Sequence, residues 1–233
     1  MGRDLKIVII NGSPRKNGAC GKMLNYLKDY LEKDNPEIKI NLIDLINLID
    51  YNIQYCMGCQ ICYKTGKCAI TDDNVENIHA LIKSADGIVL SSPVYASNVS
   101  GLFKSFHDRV HMTMEQLLYR KPCITLVAYE NLMGHKTTNI LKEMVSNAGG
   151  YTVSSLTIKN AFNNDPLTGK NKVRIEKAGK KLIKKINNNK PPIFSLLYTK
   201  IAINFFLKPF VFKNKEKFKG IINSWIENNL LLH

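Results

Sequence analysis

Short β-branched runs that end in polar turns, each followed by a helical period, constrain this chain more than any other feature. Leu5–Asn11 (Leu-Lys-Ile-Val-Ile-Ile-Asn) is apolar along most of its length and stops at a Gly/Pro turn. A buried parallel strand reads this way, because helices cover both of its faces. Lys22–Lys33 then carries Met23, Leu24, Leu27 and Leu31 at helical spacing. Further strands are expected at Ile38–Ile43, Gly87–Ser92, Cys123–Tyr129 and Tyr151–Ile158. Helices are expected from Val75, Ile78 and Ile82, with Asp72 or Asp73 as N-cap, and over Leu102–Met112, Thr137–Ala148 and Val173–Ile186. Strands alternating with helices of this length predict an α/β fold with a five-stranded, doubly wound parallel sheet.

Charge divides the chain unequally. Residues 151–233 hold 16 of the 33 Lys and Arg but only 4 of the 19 Asp and Glu, so most of the net charge of +14 lies there. Basic residues without interleaved aromatics, and without a helix-turn-helix or RRM pattern, give no nucleic-acid interface. Pro191-Pro192 marks a boundary, which predicts one domain over 1–190 and a basic, apolar helical C-terminal extension over 191–233. Lys200, Asn204 and Lys208 interrupt the apolar run Ile193–Phe212, making it a poor spanning helix. Two uses fit it: packing against the domain or a second subunit, or peripheral contact with a membrane surface.

Two strand-to-helix loops carry ligand-binding character. Asn11-Gly12-Ser13-Pro14-Arg15-Lys16-Asn17-Gly18 leads into the first helix. Free amides and the positive dipole end at such a start attract an anion. Gly12 and Gly18 would let backbone approach it, Ser13 adds a hydroxyl, and Arg15 and Lys16 add charge. A Walker A loop is excluded, because Met23 follows Gly21-Lys22 where Ser or Thr is required, and there is no G-x-G-x-x-G. An ordinary turn is the alternative. After the third strand, Pro93 sets the chain direction, Tyr95 offers a flat face, and Ser97, Asn98 and Ser100 offer small donors. Together the loops describe a site with an anionic end and a planar end, the shape of FMN. Asp108-Arg109, at the end of the next helix, reads as a local ion pair.

Four of six cysteines, Cys56, Cys59, Cys62 and Cys68, fall within thirteen residues. Thiols this close can converge on one metal centre, and an all-sulfur set selects zinc or an iron–sulfur cluster. The C-x2-C-x2-C start is the compact spacing of a [4Fe–4S] loop. Structural zinc more often takes separated pairs or adds histidine, and none lies between Leu42 and Ala69. A disulfide framework is the alternative. Met1–Ile10 does not resemble a secretory signal; a cytoplasmic chain is expected, with thiols that bind metal or are redox-active rather than cross-linked. Cys123 reads as core, and His79, His107, His111 and His135 as surface or helix-face residues. His107 and His111 share a helical face but lack a nearby carboxylate.

Taken in order, residues 11–15, the Cys56–Cys68 loop with Asp72-Asp73, Ser92-Pro93-Val94-Tyr95 and Asp108-Arg109 resemble the flavodoxin-like NAD(P)H-dependent FMN reductases, specifically their iron–sulfur flavoproteins. The resemblance covers residues 5 to about 160. It implies strand order 2-1-3-4-5 with ligand beyond the strand C-termini. It implies FMN, NAD(P)H as electron donor, a small-molecule or protein electron acceptor, and a [4Fe–4S] cluster on Cys56, Cys59, Cys62 and Cys68. Ser13, Arg15, Asn17, Gly18, Ala19 and Cys20 would surround the FMN phosphate, with Pro93, Val94, Tyr95, Ala96 and Asn98 along the isoalloxazine. The flavin carries the chemistry, so no catalytic side chain is implied. Ala19-Cys20 departs from the frequent Asn-Thr and removes two donors; Tyr129–Gly134 lacks an early glycine. Relatives with a similar cysteine loop and no cluster keep a plain NAD(P)H-dependent FMN or quinone-type reductase open. A non-enzymatic redox- or zinc-sensing module is the third reading. A homo-oligomer, typically a dimer, is expected by analogy.

Overall fold

The computed structural model describes residues 5–33 and 40–231. Five strands, β1 (Leu5–Asn11), β2 (Ile40–Asn47), β3 (Gly87–Pro93), β4 (Pro122–Tyr129) and β5 (Tyr151–Lys159), form one sheet of order 2-1-3-4-5. Every neighbouring pair is parallel. The strands match the sequence expectation, except that β2 extends to Asn47 where Ile43 was expected; residues 38 and 39 lie outside the described residues. Because β1 has β2 on one side and β3 on the other, the chain reverses direction across the sheet between β1 and β3. A crevice opens beyond the C-terminal ends there.

Strand alternation supplies the two cores. Val8 and Ile10 of β1, with Ile88 and Leu90 of β3, face α3 (Val75–Ser84), α4 (Gly101–Arg109) and α6 (Gly134–Asn147). Ile7, Ile9 and Val89 point the other way, onto α1 (Ala19–Lys33) and α7 (Gly169–Asn188). Within α1, Met23, Leu24, Leu27 and Leu31 are all fully buried, as their spacing predicted. Cys123 lies in the first of these cores, where burial pushes its thiol up to about 12.

The helix expected over Leu102–Met112 ends at Arg109. His111 takes a left-handed conformation (φ 37°), and a one-turn helix, α5 (Met112–Glu115), follows. A further short helix, α2 (Ile61–Thr65), sits inside the cysteine loop.

Beyond Pro192 the chain forms α8 (Ile193–Ile201), a π-helical turn over 202–207, α9 (Lys208–Lys213) and α10 (Lys219–Glu227). Pro209 has no N–H to return to the preceding turn, and the chain widens into a π turn just before it. Ile203, Val211, Phe218, Ile221, Trp225 and Leu230 build a third apolar cluster with Tyr63, Met114 and Tyr119 of the body. Tyr63 stacks on Phe218 with ring centroids 5.3 Å apart, and Trp225 Nε1 donates to the Met114 carbonyl at 2.8 Å. A Cβ on Gly220 would lie 2.2 Å from the Gly66 nitrogen, so only glycine lets α10 come this close to the end of α2.

Candidate functional site

Both ligand-binding loops start at the crevice. Asn11 and Ser91 pair across β1 and β3, and the Gly12 amide donates to the Ser91 carbonyl at 2.8 Å. The buried Asn11 carboxamide donates to Asn47 Oδ1 at 2.9 Å and accepts from the Ser13 amide at 3.1 Å. Ser13 Oγ in turn accepts from the Arg15 amide. These bonds shape the loop before any ligand arrives. Gly12 serves packing rather than ligand approach: a Cβ there would meet Phe103 at 2.6 Å, and Ser100 Oγ donates to its carbonyl at 2.5 Å. Gly21 was missed by sequence reading, yet a Cβ there would fall 1.6 Å from the Lys16 carbonyl that folds over α1. Lys16 does not add charge to the loop site, because its ammonium pairs with Asp50.

A cavity in the crevice is lined by Ser13, Arg15, Ala19, Cys20, Pro93, Val94 and Tyr95. An adjoining one of about 350 Å³, shared through Arg15 and Ala19, adds Asn17, Gly18 and Lys22. That volume lies within the range of small-molecule sites. Nine of the eleven sequence-predicted flavin residues therefore meet at these walls. Cys20 reaches the site from the core side, and burial raises its thiol. Ala96 and Asn98 are not wall residues. They belong to a tight turn in which Tyr95 and Asn98 exchange backbone hydrogen bonds at 3.0 Å, and Asn98 Oδ1 accepts from the Val99 amide. Sequence reading also missed Tyr129, Glu130 and Asn160, which close the cavity from the ends of β4 and β5. Glu130 accepts from the Phe162 amide at 3.0 Å, so the carboxylate ties those two strand ends together.

The cysteine loop is organised by Arg109, whose side chain is fully buried. Its Nη1 and Nη2 donate to Asp73 Oδ2 and Oδ1 at 2.7 and 2.9 Å. Further donations reach the carbonyls of Gln54 and Ile70, and Nε donates to Cys68 Sγ at 3.3 Å. This corrects the expected Asp108–Arg109 pair. Adjacent helical residues diverge, and Asp108 instead pairs with Lys104 one turn earlier. Asp73 is likewise not a simple helix cap; burial raises its carboxyl, but the Arg109 hydrogen bonds outweigh that and hold it low. Cys62 is pushed up to about 11, first by burial and then by the charges of Cys68, Cys56 and Cys59. A cavity of about 200 Å³ opens beside Cys56 and Cys62. Four cysteines on one short loop are the donor set that suits an iron–sulfur cluster or zinc.

Next to this loop lies a buried group of two histidines, read from sequence as surface or helix-face residues, and Glu115. His79 Nε2 and Glu115 Oε2 are 2.5 Å apart, and the His111 ring lies 4.9 Å from that of His79. His111 Nδ1 is 3.5 Å from Glu115, and its Nε2 is 3.9 Å from Glu76. Burial pulls His111 down, but Glu115 and Glu76 outweigh it and bring it to about 9. Glu115 is raised by burial and drawn by His111 and His79 to about 2. Glu76 also accepts from the Cys68 amide at 2.7 Å, joining this group to the cysteine loop. The kink at Val110–His111 moved His111 off the face of His107, which is why helical spacing failed to place it.

The profile of the NADPH-dependent FMN reductase family matches residues 5–163. An iron–sulfur flavoprotein of Clostridioides difficile (strain 630) is 49% identical over 226 residues, 97% of this chain and 99% of that protein. An iron–sulfur flavoprotein of Archaeoglobus fulgidus is 36% identical over 106 residues, which is 46% of each chain. Among solved structures, an oxidoreductase from Corynebacterium diphtheriae superposes with a TM-score of 0.56 over 79% of this chain and 98% of that one, at 15% identity, a likeness of fold.

Proposed function

This chain belongs to the NADPH-dependent FMN reductase family, together with its iron–sulfur flavoproteins, and we propose that it moves electrons through a [4Fe–4S] cluster on Cys56, Cys59, Cys62 and Cys68. The chain is an FMN-dependent oxidoreductase with NAD(P)H as its electron donor; the cluster and an acceptor of single electrons are the added reading. FMN supplies the exchange between two-electron and one-electron chemistry, and the cluster a one-electron store.

The residues present fit both groups. The first amides of α1 and the Arg15 guanidinium would hold the flavin's anionic end. Pro93, Val94 and the Tyr95 ring would hold its planar end, with Tyr129 and Glu130 shaping the opposite wall. At the second site Arg109 holds Cys68 by its sulfur and the loop by three further acceptors. The observation that carries the reading is this buried guanidinium: a fixed positive charge on the Cys68 sulfur would offset the negative charge of ligated thiolates.

Protein purified without oxygen should contain about four iron atoms per chain, as a cube ligated by four cysteines requires, and should show flavin bands over a broad shoulder that fades on reduction. Cys59→Ser should remove the iron while FMN stays bound. Full turnover in iron-free protein would overturn the relay and leave the plain reductase.

A further inference from the structure

We propose that the helical stretch Ile193–Lys213 docks this protein in the plane of an anionic membrane surface. This is independent of the flavin and cluster assignments. Contrary to the expectation from its interrupting Lys200, Asn204 and Lys208, the stretch is long and apolar enough to cross a bilayer, yet only 11% of its most apolar part is buried in the protein. Ile193 and Phe194 are 81% and 86% exposed, and Phe205 and Phe206 are 74% and 72% exposed. Along the helix Phe194, Leu197, Tyr198, Ile201 and Phe205 lie three, four, seven and eleven residues along from the first, on one helical side, and are all exposed. The residues that do pack inward, Thr199, Ile203 and Val211, form a separate narrow line. A helix this apolar on its outer side belongs in an apolar medium, not in water.

Geometry decides between crossing and lying flat. Twenty-one helical residues reach about 32 Å, enough for a hydrocarbon core. Both ends of the stretch, however, return to the same body. Tyr198 Oη donates to Asn147 Oδ1 of α6 at 3.0 Å, Ile203 and Val211 enter the third apolar cluster, and α10 packs on α2 and α5. A segment with both ends anchored to one folded domain presents a side, not an end, to the bilayer. In-plane helices bury their apolar face at the headgroup boundary.

Charge decides between lipid and a second copy. Lys190, Lys200, Lys208, Lys213, Lys215, Lys217 and Lys219 flank or interrupt the apolar face, against Glu216 alone over the same residues. Lys208 and Lys215 lie over the partly buried Phe212 ring at 6.0 and 5.4 Å, which places two ammonium groups at the C-terminal end of the apolar face. A two-fold contact between copies would set one group of lysines against another in a chain of net charge +14. Anionic headgroups complement the lysines, while acyl chains take up the phenylalanines.

The test is flotation of full-length, FMN-loaded protein with vesicles of phosphatidylglycerol and phosphatidylcholine, or of phosphatidylcholine alone, with oligomer mass measured by light scattering. The protein should float with the anionic vesicles and at least tenfold less with the neutral ones. Phe205→Asp/Phe206→Asp and, separately, Lys213→Glu/Lys215→Glu/Lys217→Glu should each cut binding at least tenfold, with flavin absorbance and oligomer mass unchanged. Phe194→Ser, at the most exposed ring, gives a milder change if the double aspartate variant fails to fold. No flotation, or equal binding to both vesicle types, overturns the proposal. So does a fall in oligomer mass in Phe205→Asp/Phe206→Asp without any vesicle binding by the parent, which would make the face a subunit interface.

Discussion

Replacing Asp73 by Asn tests whether the buried Arg109 pair organises the cysteine loop. Both side chains of the pair are fully buried, and Asp73 accepts both terminal guanidinium nitrogens. Asn keeps the volume and one acceptor but leaves the guanidinium without its counter-charge. An uncompensated buried charge costs about 3 kcal/mol or somewhat more. At about 2.1 cal/mol/K per residue, unfolding 233 residues carries an entropy of about 0.5 kcal/mol/K, so the melting temperature should fall by about 6 °C. Arg109 also holds Cys68 and the carbonyls of Gln54 and Ile70, so the loop should loosen as well. The double change Asp73→Leu/Arg109→Met separates the two effects. Removing both charges should restore most of the melting temperature, but not the donors on the loop, so iron retention should stay low. The assay is thermal melting by circular dichroism beside iron content after anaerobic gel filtration. A melting temperature within 1 °C of the parent for Asp73→Asn, with full iron, would refute the clamp.

Arg15→Ala should weaken FMN binding by about tenfold to a hundredfold, the worth of a charge-assisted contact, while riboflavin binding in flavin-fluorescence titrations stays within twofold, because only FMN carries the phosphate. Stability should depend on pH through the buried His111–Glu115 pair. Glu115 sits at about 2 against an ordinary 4.5, so its contribution is present above pH 4.5 and lost as pH falls toward 2. His111 sits at about 9 against 6.5, so its contribution is complete below 6.5 and lost as pH rises toward 9. Urea melts across pH 3 to 9 should show both falls, and His111→Asn should remove the alkaline one. Gly220→Ala would place a Cβ 2.2 Å from the Gly66 nitrogen; it should cost about 1–3 kcal/mol as overpacking does and raise proteolysis within the cysteine loop.

What could be read from sequence and what could not divides by the range of the interaction. The central strands β1, β3 and β4 were legible because burial on both faces makes them largely apolar runs, and that signal is contained in seven or eight residues. The flavin loops were legible because a strand-to-helix turn puts its own amides at the site. Tyr129, Glu130 and Asn160 were not, because they join the site only once β4 and β5 line up beside β3. Arg109 shows the limit most clearly. Its neighbour Asp108 invited a local pair, yet consecutive helical positions cannot face each other; the true partner lies 36 residues away. The same rule applied to Lys104 and Asp108, four apart, would have assigned Asp108 elsewhere and left Arg109 in need of a distant carboxylate. The shared face of His107 and His111 failed for a related reason: one left-handed residue at 111 broke the helical phase on which it rested.

The cysteine loop has too little of its own structure to hold four sulfurs in place. Between Tyr51 and Val75 it contains one helix of five residues, and Cys56 and Cys59 are exposed. Ordering such a segment costs about 1–2 kcal/mol per residue in backbone entropy, more than its few internal hydrogen bonds return. Three ties from outside the loop hold it: Arg109 on Asp73, Gln54, Ile70 and Cys68; Glu76 on the Cys68 amide; and α10 against α2 through Gly66–Gly220 and Tyr63–Phe218. The first two belong to the family-matched part of the chain, whereas the third comes from beyond residue 163, where that match ends. Removing the C-terminal helices, α10 among them, should therefore loosen α2 first and leave the crevice between β1 and β3 intact. Hydrogen exchange on a chain ending at residue 190 reads this directly. Faster exchange confined to residues 56–68 supports a brace, and equal protection in both chains would show that Arg109 and Glu76 suffice.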